Sequence, residues 1–119
     1  MKKGNKILKK LANPNFLVVM TVTLIVGLFL LFFVVRKPIS KIFYNNGIDD
    51  YSAHDYDLAV KNLDTALKLY KKDTNYYSAL ANALNATNDH EKALKILDSG
   101  IERFAGAEEL YILKVKPIF

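Results

Sequence analysis

The chain has 119 residues, 51% hydrophobic and 24% charged, with a formal net charge of +5 and no cysteine. Without cysteine there are neither disulfides nor thiolate metal sites, and the redox compartment is unconstrained. A basic chain could suit nucleic acid, but the whole excess lies in five lysines before residue 11; from Arg36 onward 12 basic and 12 acidic residues balance. With neither a dense basic run nor an aromatic stacking platform, nucleic acid is not an expected partner.

Residues 1–15 form a lysine-rich N-terminal segment carrying Lys2, Lys3, Lys6, Lys9 and Lys10. From Phe16 to Val35 no charge interrupts about 20 residues, enough at ~1.5 Å per residue to cross a ~30 Å hydrocarbon core. A cleavable signal peptide would have a shorter apolar region followed by small residues. This run instead gives way to Arg36-Lys37-Pro38, so 16–35 reads as an uncleaved signal-anchor helix and single membrane pass. Inside it, Thr23 and Gly27 make a small-xxx-small pair beside Phe29, Phe32 and Phe33, with exposure to lipid the plainer use of that face.

The lysine excess before the span places the N-terminus in the cytoplasm and the remainder across the membrane. In a bacterium that is the periplasmic or extracellular side of the inner membrane. Arg36, Lys37 and Lys41 weigh against that orientation. The N-terminal lysines also suit anionic headgroups. Residues 36–39 read as a short linker in which Pro38 bends or interrupts the helix exit.

From residue 40 the chain repeats itself. Asp55-Tyr56-Asp57-Leu58-Ala59-Val60-Lys61-Asn62-Leu63-Asp64-Thr65-Ala66-Leu67 aligns with Asp89-His90-Glu91-Lys92-Ala93-Leu94-Lys95-Ile96-Leu97-Asp98-Ser99-Gly100-Ile101 at a spacing of 34 residues. A period of 34 with small residues at fixed offsets means antiparallel helix pairs stacked into a solenoid. The pattern predicts helices at about 40–52, 56–70, 74–87, 90–104 and 107–116. Asp55, Asp73 or Thr74, and Asp89 stand at N-cap positions, and Gly106 reads as a stop. Gly47, Ala59, Ala66, Ala81, Ala93 and Gly100 supply close helix crossings. Phe43, Leu58, Leu63, Leu67, Tyr77, Leu80, Leu84, Leu94, Leu97 and Ile101 supply the core.

These residues resemble the tetratricopeptide repeat. Phe43, Gly47, Ala59, Leu63 and Ala66 fall on its signature in a first repeat, and Tyr77, Leu80, Ala81, Leu84, Ala93, Leu97 and Gly100 in a second. Asn46 and Asp50 depart from the pattern, and Lys71 and Ala105 replace the customary closing prolines. The resemblance implies an all-α domain over 40–119, two repeats plus a partial third, whose function is binding. It also implies that helix A positions line a groove: Lys41, Tyr44, Ile48 and Tyr51 in the first repeat, and the amide-rich set Asn75, Ser78, Asn82 and Asn85 in the second. Amide side chains both donate to and accept from an extended peptide, although any amphipathic helix needs a solvated polar stripe. The clamp by which some family members hold a C-terminal carboxylate is missing, its positions being Tyr44, Ile48, Glu109 and Leu113.

A third helix A carries Leu110, Ile112 and Leu113, with Pro117, Ile118 and Phe119 beyond it. It reads as a truncated repeat, a short cap, or an apolar surface completed by another subunit. In the last case Leu110, Ile112, Leu113, Ile118 and Phe119 contact a homo- or hetero-oligomeric partner. His54 and His90 each adjoin an Asp, but no candidate nucleophile accompanies them, and two histidines alone make no metal site. Asn85-Ala86-Thr87 fits a glycosylation acceptor, silent in a bacterium.

The expectation is a non-enzymatic, cofactor-free, membrane-anchored adaptor binding other proteins in envelope assembly, secretion or membrane-complex organisation. The alternative is a structural subunit of an integral complex held mainly by its transmembrane helix. A targeting receptor with cytosolic repeats is a third arrangement.

Overall fold

The computed structural model describes residues 2–115, with side chains from Lys6 onward, so Pro117, Ile118 and Phe119 lie outside the described residues. The described residues form six α-helices: α1 (Lys2–Ala12), α2 (Pro14–Ser52), α3 (Tyr56–Leu69), α4 (Thr74–Ala86), α5 (His90–Arg103) and α6 (Glu108–Val115). The chain divides into two compact units, Met1–Val35 and Arg36–Phe119.

In the first unit, α1 was not foreseen from the lysine content. Ile7, Leu8 and Leu11 recur at helical spacing among Lys6, Lys9 and Lys10, which makes the segment amphipathic, and all six side chains are exposed. The break before α2 has a local cause. Asn13 caps α2, its Oδ1 accepting the Asn15 N–H at 3.0 Å and its carbonyl the Leu17 N–H at 3.0 Å. Pro14, with no N–H to satisfy, takes the first helical position. The Lys10 ammonium lies 5.9 Å above the Phe16 ring.

Among the described residues α2 is the one helix long and apolar enough to cross a membrane, with a mean hydropathy of 3.0 over its most apolar 18-residue window. The Thr21 and Thr23 hydroxyls donate to the Leu17 and Val19 carbonyls, each at 2.8 Å, so these polar groups are satisfied within the helix. Pro38 sits inside α2, and residues 36–39 are helical; the expected interruption does not occur. A proline there removes one N–H from the ladder, a loss that helical neighbours on both sides can tolerate.

In the second unit, α4 packs between α3 and α5, and α6 closes on α5 and α4. The last four helices begin and end within one residue of their expected bounds. Their starts are fixed as anticipated: Asp55, Asp73 and Asp89 accept from the N–H groups of Leu58, Asn75 and Lys92. All six small residues singled out in the sequence are buried. Gly47 and Gly100 need the absence of a Cβ, since one would lie 2.6 Å from Leu63 Cγ and 2.8 Å from Leu110 Cδ1, respectively.

The core holds Ala59, Leu63, Ala66, Leu67, Tyr76, Tyr77, Leu80, Ala81, Ala83, Leu84, Ala93, Leu97 and Leu110. Leu58 and Leu94, expected inside, are each 41% exposed. In α3 the buried face runs through 59, 63, 66 and 67, and in α5 through 93, 97 and 100. Leu58 and Leu94 are each one residue, about 100° of rotation, off that face. Phe43 and Ile101 pack half-buried at its margin.

Each of two hairpins turns on a non-glycine residue at positive φ, His54 at 63° and Asn88 at 64°, again 34 residues apart. The N–H groups of Asp55 and Asp89 reach back to the Asp50 and Leu84 carbonyls at 2.9 Å, the six-to-one closure of a left-handed helix stop. Asn tolerates this conformation better than His. His54→Gly is therefore expected to raise stability by about 0.5–1 kcal/mol in chemical denaturation, despite loss of the exposed 2.8 Å Nδ1–Tyr56 hydroxyl bond. A lower midpoint would mean that this bond outweighs the backbone strain.

Candidate functional site

Because α4 is covered on two sides, six of its 13 residues are buried: Tyr76, Tyr77, Leu80, Ala81, Ala83 and Leu84. What remains for solvent includes the polar set anticipated from the sequence. Asn75 and Asn82 are exposed, whereas Ser78 and Asn85 are half-buried. The Ser78 hydroxyl donates to the Asn75 carbonyl at 3.1 Å, and Asn85 Oδ1 lies 2.9 Å from His90 Nδ1. Two members of the stripe are thus engaged locally, and the Asn75 and Asn82 amides offer donors and acceptors to an incoming chain.

Residues of α2 meet α4 at Tyr76. Tyr44 stacks on Tyr76 with centroids 4.9 Å apart and planes 25° apart. Burial, the Asp73 charge and Tyr76 all hold the Tyr44 phenol above its ordinary pKa, so it remains a hydroxyl donor. Tyr76 also reaches Ser40, whose Oγ is 3.0 Å from the tyrosine hydroxyl and donates to the Lys37 carbonyl at 2.6 Å. The serine's one proton being used there, the Tyr76 hydroxyl is the donor between them.

Ile48 and Tyr51 are 36% and 37% exposed, but Tyr51 turns its ring against Tyr56 of α3, centroids 5.2 Å apart, rather than against α4. The structure therefore links Tyr44 to α4 and ties Tyr51 elsewhere.

The expected C-terminal surface is rearranged. Leu110 is fully buried against its own chain and Leu113 packs half-buried on the core, because the missing Cβ of Gly100 leaves room for Leu110 beside Tyr77. Ile112 is exposed as expected, and the other exposed apolar side chains of α6 are Tyr111 and Val115. Ile118 and Phe119, also assigned to that surface, lie outside the described residues.

His54 Nδ1 meets the Tyr56 hydroxyl at 2.8 Å and His90 Nδ1 the Asn85 amide oxygen at 2.9 Å. Among the described residues no group of three His, Asp or Glu side chains is placed to hold a metal ion.

A family model described as tetratricopeptide repeat matches residues 51–116, more than half of the chain. No enzyme family is found. No curated protein and no solved structure matches.

Proposed function

Since this chain belongs to the tetratricopeptide repeat family, whose members generally bind other proteins, we propose that it is a non-enzymatic adaptor anchored by the apolar part of α2. It would engage protein partners in envelope assembly, secretion or organisation of a membrane complex. The observation that carries this reading is the amide-bearing strip of α4, where Asn75 and Asn82 stay exposed although α3 and α5 both pack against the helix. An extended peptide placed there meets side chains able to pair with its backbone in either sense. The lysine excess before residue 11 supports a cytoplasmic N-terminus with the repeats across the membrane.

The full-length protein, purified in mild detergent with its cross-linked partners identified by mass spectrometry, tests the reading against an Asn75→Ala/Asn82→Ala variant. Both residues are exposed, so the variant should fold normally while partner recovery falls about tenfold, equivalent to two good hydrogen bonds. Undiminished recovery would remove the strip from the interface. Recovery that instead followed substitutions at Thr23 and Gly27 would favour the structural-subunit alternative; open space around Gly27 gives a neighbouring helix room to approach. Protease added to intact spheroplasts should digest the repeats, and protection until lysis would reverse the orientation.

A further inference from the structure

Basic residues that look scattered in the sequence converge in the second unit. Arg36, Lys68, Lys71, Lys72 and Arg103, together with Leu69, line one hollow of about 220 Å³. Lys68 belongs to the last turn of α3, Lys71 and Lys72 to the following connection, and Arg103 ends α5. Lys68, Lys71, Lys72 and Arg103 are each intelligible alone, because cations complement the negative end of a helix dipole, whereas Arg36 lies within α2. Convergence of Lys68, Lys71, Lys72 and Arg103 on one hollow is another matter: like charges brought together raise one another's energy unless an anion sits among them.

The ion pair described at this cluster joins Lys68 to Asp64 at 2.9 Å, and Glu102 lines an adjoining hollow with Lys71 and Arg103. Lys71, Lys72 and Arg103 still outnumber the Glu102 carboxylate beside them. The Tyr70 ring steadies the arrangement, with the Arg36 guanidinium 5.9 Å and the Lys37 ammonium 5.6 Å from its centroid.

We propose that this hollow binds the phosphate headgroup of an anionic phospholipid. The size suits a phosphate-sized group and is below the range typical of larger organic ligands. Guanidinium and ammonium groups provide charge-assisted donors to its oxygens. The lipid source follows from position in the chain: Arg36, which lines the hollow, directly follows Val35, the last residue of the apolar run. With that run in a bilayer, Arg36 stands at headgroup depth, where juxtamembrane basic clusters recruit anionic lipid. This inference rests on the anchor reading above. It also gives Arg36 and Lys37 a role after the span that the charge rule for orientation does not supply.

The test uses the full-length protein in neutral detergent, with lipid adducts counted by native mass spectrometry on addition of phosphatidylglycerol, phosphatidylcholine or inorganic phosphate. Lys71→Gln/Lys72→Gln/Arg103→Gln removes three charges from the hollow. Lys61→Gln/Lys92→Gln/Lys95→Gln removes three elsewhere and controls for net charge. Wild type and control should prefer phosphatidylglycerol, and the hollow variant should lose affinity for it on the order of 100-fold.

Equal losses in both variants would reduce the effect to net charge and overturn the proposal. So would unaltered lipid binding by the hollow variant, or inorganic phosphate competing as well as the lipid, which would make this a free-phosphate site. Carbonate extraction of native membranes is run in parallel. Release of the chain overturns the anchor reading and this inference together, whereas retention without phosphatidylglycerol preference overturns the inference alone.

Discussion

Leu63→Ala is expected to cost about 2–5 kcal/mol in chemical denaturation, because Leu63 is fully buried and its side chain occupies the space that Gly47 leaves open. Total stability for a domain of this size is of order 5–10 kcal/mol, so the variant should be largely unfolded at modest denaturant. Gly47→Ala fails for the opposite reason. Alanine is the better helix former by about 1 kcal/mol, yet its Cβ would meet Leu63 Cγ at 2.6 Å and Cδ2 at 2.8 Å, with the Leu63 backbone nitrogen at 3.3 Å. Overpacking of this kind costs about 1–3 kcal/mol. The two substitutions relieve one another, since truncating Leu63 removes the atoms that the new Cβ strikes. A double-mutant cycle should therefore show the pair costing at least about 1 kcal/mol less than the sum. Strict additivity would show that α2 and α3 do not cross closely at Gly47.

The buried hydroxyl pair gives the second large effect, and it is asymmetric. In Ser40→Ala the Tyr76 hydroxyl, on a side chain only 3% exposed, loses its acceptor, at a cost of about 1–3 kcal/mol. This should be seen even though alanine is favoured in a helix. In Tyr76→Phe the serine proton still reaches the Lys37 carbonyl, so the loss should be nearer 0.5–1.5 kcal/mol. Thermal unfolding of the two variants in the same detergent ranks them. If Tyr76→Phe proved the more damaging, the donor assignment between these hydroxyls would be reversed.

Much of the second unit was legible because the 34-residue period constrains several properties at once: the buried small residues and the capping pair Asp55 and Asp89 recur with it, while Asp73 is a local cap signal. The misreadings have particular causes. A single buried face is the natural reading of a short amphipathic helix, but α4 is covered on both flanks, so Tyr76 and Ala83 were not counted as core. The same habit placed Leu58 and Leu94 inside, when the faces of α3 and α5 are each narrow.

Ser40 is buried beside a partner 36 residues away, a pairing that no local pattern reveals. The basic hollow was invisible for a similar reason, its members being spread from Arg36 to Arg103 with no continuous run. The proposed binding strip was readable as a periodic set of amides, but the aromatic that meets α4 was not: Tyr44 and Tyr51 look equivalent in the sequence, whereas Tyr44 stacks on α4 and Tyr51 on α3. The family match begins at residue 51 and so leaves out the part of α2 where the repeat signature is weakest.

The arrangement of α4 between its sequence neighbours bears on how the chain reaches its fold. Every packed pair from α3 onward joins helices that are adjacent in sequence or separated by one other. Ordering them requires closing only short loops, so the conformational search is local and assembly falls in the fast, microsecond-to-millisecond regime of helical domains. The α3–α4 and α4–α5 hairpins share α4 and can each serve as a nucleus, after which growth is stepwise along the stack. The eight-residue α6 then joins a surface already formed by α4 and α5, so it can detach and return while the helices beneath it stay assembled.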